Sequence, residues 1–126
     1  LVNNHRMKKI LFIDDCPDTM ELFRESVEID LEEKGEDVKC VGINDLPGIK
    51  EHILSGEYDL IVSDLNLEGT DFMNFCIEND CIPKVPLIIV TGEYTKLSFF
   101  EHENFNVMYK PLDVEMLFRE VRERLF

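Results

Sequence analysis

Five short apolar runs alternate with longer stretches whose apolar residues recur at helical spacing, and this alternation constrains the chain more than any other feature of its sequence. The first run, Lys-Ile-Leu-Phe-Ile at 9–13, has no polar alternation. That suits a strand buried on both faces, and it stops at Asp14 and Asp15. Pro17 is tolerated at a first helical position, after which Met20, Phe23, Val27 and Leu31 share one helical face until Lys34 and Gly35 end it. A second strand is expected at 38–42. Asn44 or Asp45 can cap a helix running through Ile49, Ile53 and Leu54 to Gly56. The third strand, 59–63, runs into Asp64; Gly69 and Thr70 make a turn, and Phe72, Phe75, Cys76 and Ile77 open another helix. A fourth strand at 86–90 ends in Thr91-Gly92, with a short, weakly marked helix over 97–102. The fifth strand, 106–109, ends in Lys110-Pro111, and Asp113 caps a helix with Val114, Leu117, Phe118, Val121 and Leu125 on its apolar face.

Strict alternation of strand and helix implies a parallel sheet covered on both sides, because each crossover lays its helix on a face of the sheet. The expected fold is therefore doubly wound α/β with five parallel strands. Ligands of such sheets gather outside the carboxyl ends of the strands. Four of the five runs end in residues of evident chemical use, Asp14-Asp15, Asp64, Thr91 and Lys110, and parallel strands bring all four ends to one edge.

The chain has 126 residues, enough for one domain, and nine Phe among 44% hydrophobic residues supply a core. A formal charge of −14, from 27 acidic and 13 basic residues, argues against nucleic-acid or anionic-membrane partners. No apolar run nears the roughly 20 residues that cross a bilayer, so a cytoplasmic location is expected. Cys16, Cys40, Cys76 and Cys81 lack metal-knuckle or disulfide-framework spacing and read as reduced thiols, mostly in the core, with Cys16 structural. His52 and His102 read as helix-surface residues and His5 as part of a tail. The tail, residues 1–7, has no pattern and is set apart from a domain spanning 8–126. The aromatics Phe72, Phe75, Phe99, Phe100 and Phe118 read as core.

Crowded carboxylates repel one another and raise each other's pKa unless a cation binds among them. All-oxygen donors suit Mg²⁺, with Mn²⁺ as an alternative, better than zinc. A lysine across the pocket balances the remaining charge, and a threonine hydroxyl adds a hydrogen bond. Such a set can hold a phosphoryl group, and it contains a carboxylate able to act as nucleophile.

These residues resemble the receiver domains of two-component response regulators. Ile13-Asp14-Asp15 is similar to that family's acidic pair, the strand ending in Asp64 to its phosphoacceptor strand, Thr91-Gly92 to its hydroxyl and small residue, and Tyr109-Lys110-Pro111 to its Lys-Pro. The resemblance implies a CheY-like, flavodoxin-like α/β/α sandwich with strand order 2-1-3-4-5. It implies phosphorylation of Asp64 by a sensor histidine kinase or histidine phosphotransfer protein, and Mg²⁺ held by Asp14, Asp15, Asp64 and the Asn66 backbone carbonyl. Lys110 would pair with the phosphoryl group, Thr91 would move toward it, Asn66 and Glu93 would tune its lifetime, and the Lys110–Pro111 bond would be cis. A downstream protein target or output domain would read the change, and a phosphorylation-dependent homodimer is a further expectation.

The chain departs from the family at three residues, and its stretch between Thr91 and Lys110 is short, so a reduced or irregular fourth helix is expected. Glu68 stands where a proline is usual, Phe72 where a glycine is usual, and Val107 where an aromatic usually swings inward on activation. A receiver-like scaffold indifferent to phosphate is therefore the alternative reading. A phosphohydrolase is disfavoured because Asn66 stands where a general acid would be needed. Flavin binding is disfavoured because Asp14-Asp15-Cys16-Pro17-Asp18 would repel a phosphate.

Overall fold

The computed structural model describes residues 7–92 and 105–126, the side chain of Phe105 excepted. In chain order the elements are β1 (Lys8–Ile13), α1 (Pro17–Glu33), β2 (Val38–Ile43), α2 (Leu46–Leu54), β3 (Leu60–Asp64), β4 (Asn66–Leu67), β5 (Thr70–Asp71), α3 (Phe72–Glu78), β6 (Leu87–Thr91), β7 (Phe105–Tyr109) and α4 (Val114–Leu125). The main sheet runs β2-β1-β3-β6-β7, which is 2-1-3-4-5 when only its own five strands are counted. Every neighbouring pair in it is parallel. The expected helix at 97–102, with Phe99, Phe100 and His102, lies outside the described residues, as do residues 1–6 with His5.

Successive residues of a strand face opposite sides of the sheet, so the unbroken apolar run of β1 feeds two cores at once. Ile10 and Phe12 pack with Val27 and Leu31 of α1 and Leu117 and Val121 of α4. Leu11 and Ile13 pack on the other side with Ile49 of α2 and Phe72, Met73 and Cys76 of α3. The result is a three-layer α/β/α sandwich. Its sheet is pinned on both faces and holds whatever stands at the strand ends in fixed positions.

Local chemistry sets the helix ends. Pro17 opens α1, Lys34 closes it, and Gly35 follows with φ of 77°, a left-handed conformation open to glycine at no steric cost. Asp113 accepts from the N–H groups of Glu115 and Met116 at the start of α4. Asp45 occupies the capping position of α2, but its side chain makes no capping hydrogen bond. Buried Asp30 ties α1 to α4, accepting from Lys34 and from Arg122 at 2.6 Å each.

The expected turn at Gly69 and Thr70 is a two-stranded antiparallel hairpin, pairing Asn66 with Asp71 and Leu67 with Thr70 around Gly69 at φ 79°. Strands of two residues carry too little periodicity to show in a sequence. Directly after the hairpin Phe72 is fully buried, and its N–H donates to the Leu65 carbonyl at 2.7 Å. The aromatic at this place closes the loop behind Asp64 by filling the α3 side of the core.

Val114, expected on the apolar face of α4, is exposed at its first turn, and two further side chains differ from expectation. Cys16 is exposed where a structural thiol was expected, because it stands in the loop between β1 and α1, outside both cores; Cys40, Cys76 and Cys81 are buried. His52 is half-buried where a surface residue was expected, because its Nδ1 lies 2.8 Å from the buried Tyr58 hydroxyl.

Replacing Phe72 by Ala should cost about 3–5 kcal/mol, as large-to-small changes at closed core sites do. Urea unfolding monitored by circular dichroism should show the midpoint fall with little change in slope. A loss under about 1 kcal/mol would mean that the loop does not lean on this ring.

Candidate functional site

Parallel register decides which residues meet. Ile13 is level with Ser63, Asp64 with Val90 and Thr91 with Tyr109. Asp14, Asp64, Thr91 and Lys110 therefore stand at or one residue beyond the same carboxyl edge. Carboxylate oxygens of Asp14, Asp15 and Asp64 all lie within 4.8 Å of one another. Lys110 Nζ stands 3.5 Å from Asp64 Oδ1. The Lys110 N–H donates to the Thr91 carbonyl at 2.8 Å, extending the β6–β7 ladder by one step, and the Lys110–Pro111 bond is cis.

Hydrogen bonds fix the backbone at Asp14 and Asp64. Asp14 is buried, and its Oδ1 accepts the Cys16 N–H at 2.9 Å, turning the chain into α1. The Asp64 carbonyl accepts from Ser63 Oγ at 2.8 Å, while the Leu65 N–H donates to Val90 at 3.0 Å. Ser63 escaped notice in the sequence, although a fully buried hydroxyl inside an apolar strand is a signal that it has a partner. Asp15 is exposed, and Thr91 ends β6 with no exposed surface. Asn66 is exposed at the start of β4, two residues after Asp64. Glu93 lies outside the described residues.

Burial dominates the electrostatics. It pushes the Asp14 carboxyl up, and the Cys16 N–H and Lys110 pull it only part of the way back, while Asp15 pushes it further up. Burial also pushes Asp64 up; Lys110 lowers it, and Asp14 and Asp15 raise it. Both acids stay above their ordinary value because burial outweighs the pull of Lys110. Hard oxygen donors at short mutual range, short of positive charge, fit a divalent cation such as Mg²⁺. Among the described residues no Cys or His joins such a group.

No family model matches the chain. Among curated proteins it is similar to the Response regulator ArlR of Staphylococcus saprophyticus, 30% identical over 127 residues covering 94% of this chain and 53% of that protein. It is similar to ArlR of Staphylococcus haemolyticus at 26% identity, covering 92% and 52%. The chain spans about half the length of these curated relatives. Among solved structures, the signal receiver domain of an HD domain-containing protein from Pseudomonas fluorescens Pf-5 superposes with TM-score 0.74 at 21% identity, covering 95% of both chains. The BeF3-activated N-terminal receiver domain of Klebsiella pneumoniae RstA gives 0.73 at 21% identity, covering 94% of this chain and 98% of the other. At these identities the superpositions show a shared CheY-like fold.

A carboxyl whose pKa is raised by folding binds its proton more tightly in the folded state, so its ionisation costs stability. The cost sets in as pH rises above the unfolded value of 3.8 and is fully present once pH passes the raised one. Asp14→Asn keeps an acceptor for the Cys16 N–H and removes the charge. In EDTA at pH 7 its Tm should exceed that of the native chain, the gap should close on acidification toward pH 4, and Mg²⁺ should stabilise it less. Thermal melts at pH 4–8 with and without Mg²⁺ check this, and a lower Tm for the variant at pH 7 would contradict it.

Proposed function

This chain is a receiver domain of the response-regulator type, and from that premise we propose that it switches state by Mg²⁺-dependent transfer of a phosphoryl group to Asp64. The observation that carries the proposal is Lys110 Nζ at 3.5 Å from Asp64 Oδ1, in a carboxylate that also has Asp14 and Asp15 oxygens within 4.8 Å. An isolated loop acid would have neither an opposing lysine nor two acidic neighbours.

The donor is a phosphohistidine of a sensor histidine kinase or a histidine phosphotransfer protein. An Asp64 carboxylate oxygen attacks phosphorus, the new P–O bond forms, and the P–N bond breaks with its electron pair returning to the imidazole nitrogen. Asp14, Asp15, Asp64 and the Asn66 carbonyl would hold Mg²⁺, which when bound supplies charge stabilisation for the transferring oxygens. Lys110, its ammonium 3.5 Å from Asp64 Oδ1, would meet the charge that develops on the same oxygens. Thr91 offers its hydroxyl to the phosphorylated state, and Asn66 and Glu93 flank the route by which water would remove the group.

The domain acts as an acceptor that assists its own phosphorylation and dephosphorylation, and it is not a turnover enzyme on an external substrate. Its readers are a downstream protein target or an output domain, with a phosphorylation-dependent homodimer as one form of output. No helix among the described residues is long and apolar enough to cross a membrane, and the proposed place of action is the cytoplasm. Val107 is half-buried in β7 and Tyr109 is exposed, so an inward-swinging aromatic at position 107 has no part in the switch.

Incubation with acetyl phosphate and Mg²⁺ should add the mass of one phosphoryl group to the intact protein. EDTA or Asp64→Ala should abolish the gain. Equal labelling of Asp64→Ala, or labelling that ignores Mg²⁺, would remove the basis for the proposal.

A further inference from the structure

A groove of about 220 Å³ opens beside the acidic cluster, between the β1–α1 loop, the start of α2 and the β4–β5 hairpin. Its floor is apolar, built by Leu46, Ile49 and Leu67. Its rim carries Asp14, Asp15, Asp45 and Glu68, and no lysine or arginine lines it among the described residues. Asp45 stands at the capping position of α2 without making the capping bond, and Glu68 is exposed beside Gly69 at the hairpin turn. Neither Asp45 nor Glu68 is in an ion pair among the described residues.

We propose that this groove receives an arginine or lysine side chain of the phosphodonor protein, an inference that rests on reading Asp64 as the acceptor. The chemistry selects the occupant. With Mg²⁺ on Asp14 and Asp15, Asp45 and Glu68 would still repel an anion, and a bare metal ion would make no use of the apolar lining. A wholly apolar group would strip water from the rim carboxylates without replacing their hydrogen bonds. A cation on an aliphatic stem satisfies both surfaces, with methylenes on Leu46 and Leu67 and the charged head among the acids. The groove is smaller than the usual site for a free organic ligand and suits one side chain. Position selects the source: the rim shares Asp14 and Asp15 with the cluster around Asp64, so a protein that delivers a phosphoryl group to Asp64 must cover this edge.

The test uses the whole chain, ¹⁵N-labelled and saturated with Mg²⁺ so that the carboxylate cluster is already occupied. The probe is arginine capped at both ends, N-acetyl-arginine-N-methylamide, with the equally capped leucine and free arginine as controls. Capped arginine should shift the amides of Asn44, Asp45, Leu46, Leu67 and Glu68 along a saturating curve. The Asp45→Asn/Glu68→Gln double variant should bind it about fivefold more weakly or worse. That variant should still be labelled by acetyl phosphate, which shows that it is folded and that its Asp64 chemistry is intact. Equal binding by the double variant, equal binding of capped leucine, or shifts that never saturate would overturn the proposal. Tighter binding of free arginine would also overturn it, by making the groove a metabolite site. Failure of the native chain to be labelled would sink the acceptor reading, and with it the donor as the source of the side chain, whatever the groove binds.

Discussion

A buried carboxylate, a half-buried one and an exposed third are held with oxygens inside 4.8 Å, with a lysine beside them. At an effective dielectric near 20, two unit charges at such a distance repel by on the order of 3–4 kcal/mol, so a flexible chain would pull them apart. Here two of them stand at the sheet edge, and only Asp15 lies in the loop beyond it. Asp64 ends a strand buried between two layers of helices, and Asp14 follows directly on another. The rigidity of the sheet stores the repulsion, and the site is poised to gain from any cation, and after it any anion, that relieves the imbalance.

The same rigidity accounts for where this chain follows the receiver pattern and where it leaves it. Positions fixed by strand register, Asp14, Asp64, Thr91 and Lys110, keep the family's residues. The departures fall where the backbone leaves the sheet or where a side chain would carry motion away from it. Phe72 fills the α3 side of the core and closes the loop through the Leu65 carbonyl, so the stretch from Asp64 to α3 is braced by packing and by a short hairpin. Glu68, at that hairpin's turn, adds a charge to the rim of the neighbouring groove. The carboxylate cluster and the groove beside it thus share Asp14 and Asp15 on the same edge.

Much of this was legible in the sequence because the informative signals were periodic or terminal. The apolar run at 9–13 showed a strand buried on both faces, and Ile10 and Leu11 are indeed in opposite cores. Gly35 ended α1 and Asp113 capped α4 as their chemistry required. The acids and Lys110 could be brought together because parallel topology leaves one edge for them. The hairpin was missed because two-residue strands have no period, and Ser63 because one hydroxyl in an apolar run looks like ordinary strand composition. The half-buried state of His52 depends on Tyr58, six residues away across a loop, and the exposure of Cys16 on the direction of a loop. Neither is written in local pattern.

The central claim is that Asp64, and not one of its acidic neighbours, is the nucleophile. Borohydride reduction after phosphodonor treatment converts an aspartyl phosphate to homoserine, and peptide mass spectrometry then locates it. The account predicts homoserine at position 64 alone. Homoserine at Asp14 or Asp15, or its absence from position 64 in protein that has gained a phosphoryl group, would contradict it.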